Sequence, residues 1–431
     1  MLAQLVKTVA RPSLLIRGAG HRLLTSAVGA RGRTTAAAPP EQHGTWFDLI
    51  ELRTTGQLAD KATASKPPVA VHTLWLRDHC KCPQCWHPMA RQRLVETHKI
   101  PKDIKPSKIE NKAGNVIVTW SDGHISTYSE QWLVDHAYGE SPRSRSHLEP
   151  KFPVKLWGAE IASNPPTVHY DAVMDPTSDA GLADWLRNIA TYGFSFVNGV
   201  PPSIEKSRKL AERIAFIRET HYGTYWDFTP NLEHGDTAYT TIALPAHTDT
   251  TYFTDPVGLQ LFHILQVAGK GGESLLVDGF KVAADLKSSD PDAYAVLRDT
   301  KVPAHCAGDA TTYIYPQHRY QPMLTEDADG NLVLVRYNNN DRSTLNHLSR
   351  AQVERYYAAL AKWQRGVESA TNEFWYAMKP GTLCAIDNQR VMHGRASFEG
   401  TQRRLTGCYI NGDDWQSRLR TVAGDGTRAL L

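Results

Sequence analysis

The stretch GDTAYTTIALPAHTDTTYF, residues 235–253, constrains this chain more than any other, because it carries His247-Thr248-Asp249. In an extended segment, residues i and i+2 project to one face, so the imidazole and the carboxylate can grip a single metal ion. A second imidazole, His393 in NQRVMHGRASF, completes a set of two histidines and one carboxylate. Such a set leaves three positions of an octahedral ion open on one side, as oxygen-activating non-heme Fe(II) sites require. An isolated H-x-D is usually a surface pair; the company this one keeps gives it weight.

At 431 residues the chain is long enough for two or three domains and at least one large core. Its net charge of +3 is unevenly spread. Lys7, Arg11, Arg17, Arg22, Arg31 and Arg33 precede the first acid, Glu41, among Leu, Val, Ala, Ser and Thr. A start rich in Arg and hydroxyls and free of acids predicts a mitochondrial transit peptide over residues 1–45, and hence a matrix location. Without those six bases, 42 Lys and Arg face 45 Asp and Glu, which argues against nucleic acid as the main partner. No run approaches the ~20 apolar residues of a membrane span.

Residues 46–137 read as a small β-rich module: WFDLIELR, VAVHTLWLRDHC, NVIVTW and HISTYS alternate like strands between GN and DG turns. Within it, Cys80, Cys82 and Cys85 are spaced C-x-C-x-x-C, and a tight knuckle can aim all three at one ion. A closed tetrahedral zinc site needs a fourth ligand. His124, in the turn SDGHIS, is the candidate, because His79 and His87 lie too close in sequence to be preferred. Cys306, Cys384 and Cys408 are expected as inert core residues.

Residues 138–165 (GESPRSRSHLEPKFPVK and neighbours) read as a linker, residues 166–420 as the main domain and 421–431 as a tail. DAGLADWLRNIATYG is predicted as a helix ending at Gly193. SIEKSRKLAERIAFIRET is predicted as another, opening at Ser203 with Ile204, Leu210, Ile214 and Ile217 on its apolar face. Then short strands follow: AYTTIAL, GLQLFHIL, ESLLVDGF, LVLVRYNN, GTLCAIDN and RLTGCYIN. One long helix interrupts them, with a Ser349/Gln352 capping box and a stripe of Val353, Tyr356, Leu360, Trp363 and Val367. The expected class is α+β, mainly β, with a double-sheet, cupin-like jelly roll as its core.

Ten residues after His393 comes Arg403, whose planar guanidinium can clamp a carboxylate bidentately. Ser274, ending the loop Gly269-Lys270-Gly271-Gly272, could add a hydroxyl to the same carboxylate. With these residues in view, the chain resembles the Fe(II)- and 2-oxoglutarate-dependent oxygenases, more closely their γ-butyrobetaine/trimethyllysine dioxygenase branch. The likeness spans about residues 70–418 and rests on WLRDHC, DTAYTTIALPAHTDTTYF, GGESLLVDGF, RYNNNDR and IDNQRVMHGR. It implies a double-stranded β-helix core and iron held by His247, Asp249 and His393. It also implies 2-oxoglutarate on Arg403 and Ser274, ascorbate as a further cofactor, and zinc on Cys80, Cys82, Cys85 and His124. A homodimer is the expected assembly.

Substrates of this branch carry a trimethylammonium group, which only π faces and apolar walls can recognise. The positions matching the branch's aromatic cage are Tyr222, Trp226, Tyr239 and Tyr409. Asp236, three residues before Tyr239, suits an α-ammonium, and Asn338 can donate to an α-carboxylate. These two residues favour trimethyllysine, hydroxylated at C3, over γ-butyrobetaine, which ends in a lone carboxylate. γ-Butyrobetaine hydroxylation and a non-catalytic methyl-lysine-binding jelly roll are the alternatives.

Overall fold

The structure, a computed structural model, describes residues 48–52, 69–139, 152–228, 240–267, 270–315, 320–399 and 403–424. The expected targeting segment, Asp236 and Tyr239 lie outside the described residues. The chain divides into two compact units between Ala137 and Tyr138. Among the described residues, no helix is long and apolar enough to cross a membrane.

The first unit pairs Leu49–Leu52 with Val69–His72 and builds a three-stranded sheet from Pro106–Lys112, Asn115–Trp120 and Ile125–Ser129. Strict alternation in NVIVTW sends Val116, Val118 and Trp120 into a core with Leu52, Val71, Leu76 and Leu133. The stretch expected to continue as strand after His72 is instead a helix, Thr73–Asp78. Its buried residues Thr73, Leu76 and Arg77 fall at i, i+3 and i+4, a helical period that overrides the β-branched composition.

The second unit is built on eight strands in two sheets. They are β1 (Tyr225–Phe228), β2 (Leu244–His247), β3 (Leu259–Gln266), β4 (Ser274–Asp278), β5 (Glu373–Tyr376), β6 (Thr382–Asp387), β7 (Val391–Arg395) and β8 (Arg404–Ile410). One sheet runs β1-β8-β3-β6 and the other β2-β7-β4-β5. Strands distant in sequence thus lie side by side, an order consistent with a jelly roll. Ile217–Arg218, Phe194–Asn198 and Thr167–His169 widen the first sheet.

Helix α1 (Ala180–Tyr192) ends on Gly193, whose φ of +77° is open to glycine at little cost. Helix α2 (Ile204–Glu212) is shorter than its periodicity predicts, because Ile217 and Arg218 pair with β8 instead. The long helix α3 (Arg350–Val367) starts on the predicted Ser349/Gln352 capping box and buries Tyr356, Leu360, Trp363 and Val367. Among the described residues of AYTTIAL, 240–244, only Leu244 is strand, since Arg395 takes the carbonyls of Thr240 (2.7 Å) and Ile242 (2.8 Å). The segment read as linker is partly packed: Trp157 is buried against Phe194, its indole donating to the Tyr192 carbonyl at 2.6 Å.

A fully buried ion pair ties the sheets to this segment. Arg390 donates to both Asp278 oxygens (3.0 and 2.8 Å) and to the carbonyls of Thr191 and Lys155. Asp278 also accepts the N–H groups of Trp157 and Phe280. Every charge here is matched, so removing one partner strands the other. Arg390→Met should destabilise the protein by about 3–5 kcal/mol in a denaturant titration, against about 1 kcal/mol for an exposed arginine such as Arg187.

Candidate active site

Strands β2 and β7 run antiparallel with His247 directly opposite His393. Directly opposed residues share a face of the sheet, so the rings meet, their centroids 4.5 Å apart. Asp249 lies just past the end of β2, and its Oδ1 is 3.1 Å from His247 Nε2 and 3.6 Å from His393 Nε2. One ligand atom from each of the three lies within 4.8 Å of the others.

Asp249 is aimed by three neighbours. Buried Asn388 accepts the Asp249 N–H (2.7 Å) and donates to its carbonyl (3.0 Å), fixing the backbone. Gln260 on β3 and the Tyr409 hydroxyl on β8 both donate to Oδ2, at 2.6 and 2.7 Å. With Oδ2 so engaged, Oδ1 faces the histidines. The next residue, Thr250, has φ +56°, rare for a β-branched side chain and costing about 1–3 kcal/mol. Its hydroxyl accepts the Val257 N–H at 3.0 Å and closes the turn.

Protonation suits ligation. Burial opposes ionisation of Asp249, yet His393, His247 and the Tyr409 hydroxyl hold its carboxyl well below the usual range. Burial pushes His393 down to about 3, keeping it neutral at physiological pH. Burial also works against charging His247, but its hydrogen bond to Asp249 and that residue's charge win and raise it. A bound cation would reverse that last effect. His247 Nδ1 lies 2.8 Å from the Pro245 carbonyl, which makes Nδ1 the donor and leaves the Nε2 lone pair toward the cluster.

The cluster opens into a cavity of about 660 Å³. At one side stands Arg403, only 9% exposed, its guanidinium 5.5 Å from the Phe398 ring. It makes no hydrogen bond or ion pair with the described residues. Burial lowers its pKa, with the Tyr376 phenol acting against that. Ser274 lies across the β4–β5 ladder from Tyr376, and both line the cavity. Gly272, at φ +78°, brings the loop backbone close to Arg403, where a Cβ would stand 3.6 Å from its Nε. A buried cation beside hydroxyls, without an acid of its own, is a site for an anion.

Tyr222 and Tyr409 line the cavity, as do Phe228 and Tyr252; the Tyr222 and Tyr252 hydroxyls are 3.3 Å apart. Trp226, read as part of the aromatic cage, is not among the lining residues. Its ring packs over Gly407 and against the lining residues Tyr409 and Phe228. Asn338 lines the cavity and donates to Asp341 at 2.9 Å. Cys384 and Cys408 are buried as expected, whereas Cys306 lines the cavity, its sulfur 3.7 Å from His221 Nε2.

In the first unit, Cys80, Cys82 and Cys85 place their sulfurs 3.3, 3.4 and 3.5 Å from His124 Nε2. The knuckle is held by the Cys85 and Trp86 N–H groups on the Cys82 carbonyl, and His124 by its N–H on Asp122. Buried Arg77 donates to Cys85 at 3.3 Å, a cation suited to thiolate charge.

Residues 146–409 match the family model described as "Taurine catabolism dioxygenase TauD, TfdA family", and residues 63–134 that described as "Gamma-butyrobetaine hydroxylase-like, N-terminal". Trimethyllysine dioxygenase of Neurospora crassa is 41% identical over 81% of this chain and 79% of its own length. The mitochondrial trimethyllysine dioxygenase of Gallus gallus is 37% identical over 93% of this chain and 95% of its own. Gamma-butyrobetaine dioxygenase of Homo sapiens is 32% identical over 81% and 90%. The chain belongs to the trimethyllysine dioxygenase family.

For a dioxygenase of this family, several supporting residues have no signal in the sequence. Gln260 and Asn388 are brought to Asp249 only by closure of the sheets, although Asn388 lies within the same NQRVMHGR stretch as His393. Tyr409 supports Asp249 directly, so Tyr409→Phe should weaken Mn(II) binding to the apoprotein about 10- to 100-fold in a calorimetric titration. Loss confined to substrate binding, with metal affinity unchanged, would mean that its hydroxyl does not support the carboxylate.

Proposed function

We propose that the protein hydroxylates C3 of N6,N6,N6-trimethyl-L-lysine, consuming O2 and 2-oxoglutarate and releasing 3-hydroxytrimethyllysine, succinate and CO2. The meeting of two imidazoles, one ionised carboxylate and a buried guanidinium without an acid among the described residues in a single cavity supports this most. Nitrogen and oxygen donors in a two-histidine, one-carboxylate set suit Fe(II). Bound by His247, Asp249 and His393, iron would supply the oxygen activation that no side chain provides. Arg403, with Ser274, holds the distal carboxylate of 2-oxoglutarate by charge-assisted hydrogen bonds.

The π faces of Tyr222, Phe228 and Tyr252 receive the trimethylammonium group, which can be held only by such contacts. Tyr409 adds its ring while its hydroxyl engages Asp249, and Trp226, packed against Tyr409 and Phe228, belongs to the same cage; Tyr239 and Asp236 lie outside the described residues. Asn338 donates to the α-carboxylate. The protein's part is to orient the substrate so that C3 alone approaches the metal, and to exclude water from it. Relatives named mitochondrial and the basic first 40 residues support a mitochondrial matrix enzyme in carnitine biosynthesis. Ascorbate as an added reductant and a homodimer complete the reading.

The first unit's cluster would hold structural zinc. Zn–S of about 2.3 Å and Zn–N of about 2.0 Å give tetrahedral S···N edges of about 3.5 Å, and the three observed distances, 3.3–3.5 Å, fit that shape. Three thiolates and one imidazole leave no open position, so this ion would stabilise rather than catalyse.

Purified protein should turn over trimethyllysine with stoichiometric succinate, and His247→Ala, Asp249→Ala and His393→Ala should each reduce this to background. Arg403→Met should raise the KM for 2-oxoglutarate about 100-fold while iron binding persists; an unchanged KM would remove Arg403 from the cosubstrate site. Metal analysis should find about one zinc resistant to mild chelation, and Cys82→Ser should lower the Tm more than it alters the KM for either substrate. Zinc-free protein with an unaltered Tm would rule out the structural metal.

A further inference from the structure

A second, smaller cavity adjoins the large one, and Asn338 and Asn339 line both. Thr251, Met323, Tyr356 and Leu360 form part of its wall, together with two guanidiniums, Arg336 and Arg342. None of its lining residues is acidic. Its volume of about 30 Å³ is room for about two waters or one monatomic ion, and too little for an organic anion.

Both arginines are only partly answered. Arg336 donates its Nε–H to the Thr251 carbonyl at 2.5 Å and an Nη2–H to the Phe253 carbonyl, so it grips the turn that follows Asp249. Arg342 donates to the Tyr357 hydroxyl (3.1 Å) and to the Asn339 side-chain oxygen (3.3 Å), while its Nε is buried without an acceptor among the described residues. All four acceptors are neutral. Asp341, beside Arg342 in the chain, turns its carboxylate to Thr251 and Asn338 instead. Burial pushes the Arg336 guanidinium down to about 10, with no acid acting against it. The charge of Arg342 acts on the phenols of Tyr337 and Tyr356, which line the same cavity. Two cations at one small space, with no acid in its wall, make a site for an anion.

We infer that this cavity binds one small monovalent anion of the halide class, such as chloride, between Arg336 and Arg342. A guanidinium carries five N–H groups, and the described residues take two from each arginine. A halide accepts hydrogen bonds from any direction, so it can take the Arg342 Nε–H and the N–H groups that Arg336 has to spare. Through Arg336 the ion then steadies the turn after Asp249 from outside the reaction cavity. Its role is structural, and it holds whichever substrate the large cavity takes.

The test compares the whole chain, dialysed free of halide, in sodium chloride and in sodium gluconate at equal ionic strength. Chloride should raise the Tm by about 2–4 °C and saturate as a single site. Arg342→Gln should remove that rise, and Arg342→Lys, which keeps the charge, should retain part of it. A general salt effect would persist in Arg342→Gln, so an equal chloride response in that variant overturns the inference. So does a wild-type response that is absent or fails to saturate. Crystals grown in sodium bromide give a readout that needs no variant. An anomalous peak is expected between Arg336 and Arg342, and its absence overturns the site even if Arg342→Gln fails to fold.

Discussion

The antiparallel pairing of β2 with β7 is the constraint on which this protein depends. It sets His247 opposite His393, and a shift of one residue would turn one imidazole to the far face of the sheet. Register is therefore held from both ends. β7 is also paired with β4 through Ser274 to Asp278, and β4 in turn carries the Asp278 that binds Arg390 at the entry to β7. The ion pair that stabilises the unit thus lies three residues from a candidate metal ligand. Structural rigidity and site geometry come from the same few residues.

Charges in the second unit divide by whether they are answered. Arg390 meets Asp278 and two carbonyls, and Arg395 spends two hydrogen bonds on Thr240 and Ile242, so both act on the fold. Arg403, equally removed from water, has an aromatic ring beside it, shares the cavity wall with the hydroxyls of Ser274 and Tyr376, and pairs with no acid among the described residues. Burying an unanswered guanidinium is costly, and a protein keeps one only where something else completes it. That contrast separates cosubstrate chemistry from core structure more sharply than proximity to the metal cluster does. The left-handed Thr250 belongs to the same accounting: strain sits next to Asp249, where aim matters more than stability.

Legibility in the sequence followed the range of the interactions. The H-x-D pair, the capping box at Ser349, the Gly193 stop and the C-x-C-x-x-C knuckle are local, and local chemistry can be read in a single stretch. Segments with two competing periods were misread. HTLWLRD looks like strand by composition and folds as helix because Leu76 and Arg77 face the core one turn after Thr73. TTIAL, residues 240–244, looks like strand and is diverted by an arginine 155 residues beyond Thr240. Trp226 reads as cage because aromatics match in position, and on β1 it shares a face with the cavity-lining Phe228 and packs edge-on against Tyr409. Gln260 and Asn388 could not be singled out, since their hydrogen bonds to Asp249 exist only once strands distant in the chain are adjacent.

Substrate choice in such a cavity follows from where charge is tolerated. A trimethylammonium group is cationic at every pH and donates nothing, so aromatic faces bind it without distinguishing the rest of the molecule. Discrimination has to come from the opposite end. There a zwitterionic head group presents both a donor and an acceptor, which a lone carboxylate does not, and Asn338 brings an amide donor to the cavity wall. One end of the substrate is a permanent cation that cannot donate a hydrogen bond and the other a zwitterion that can, and that asymmetry sets the direction in which the molecule enters. With the ammonium end held beside the metal cluster, C3 is the carbon presented to it. The same arrangement that selects the amino acid therefore also selects the position of attack.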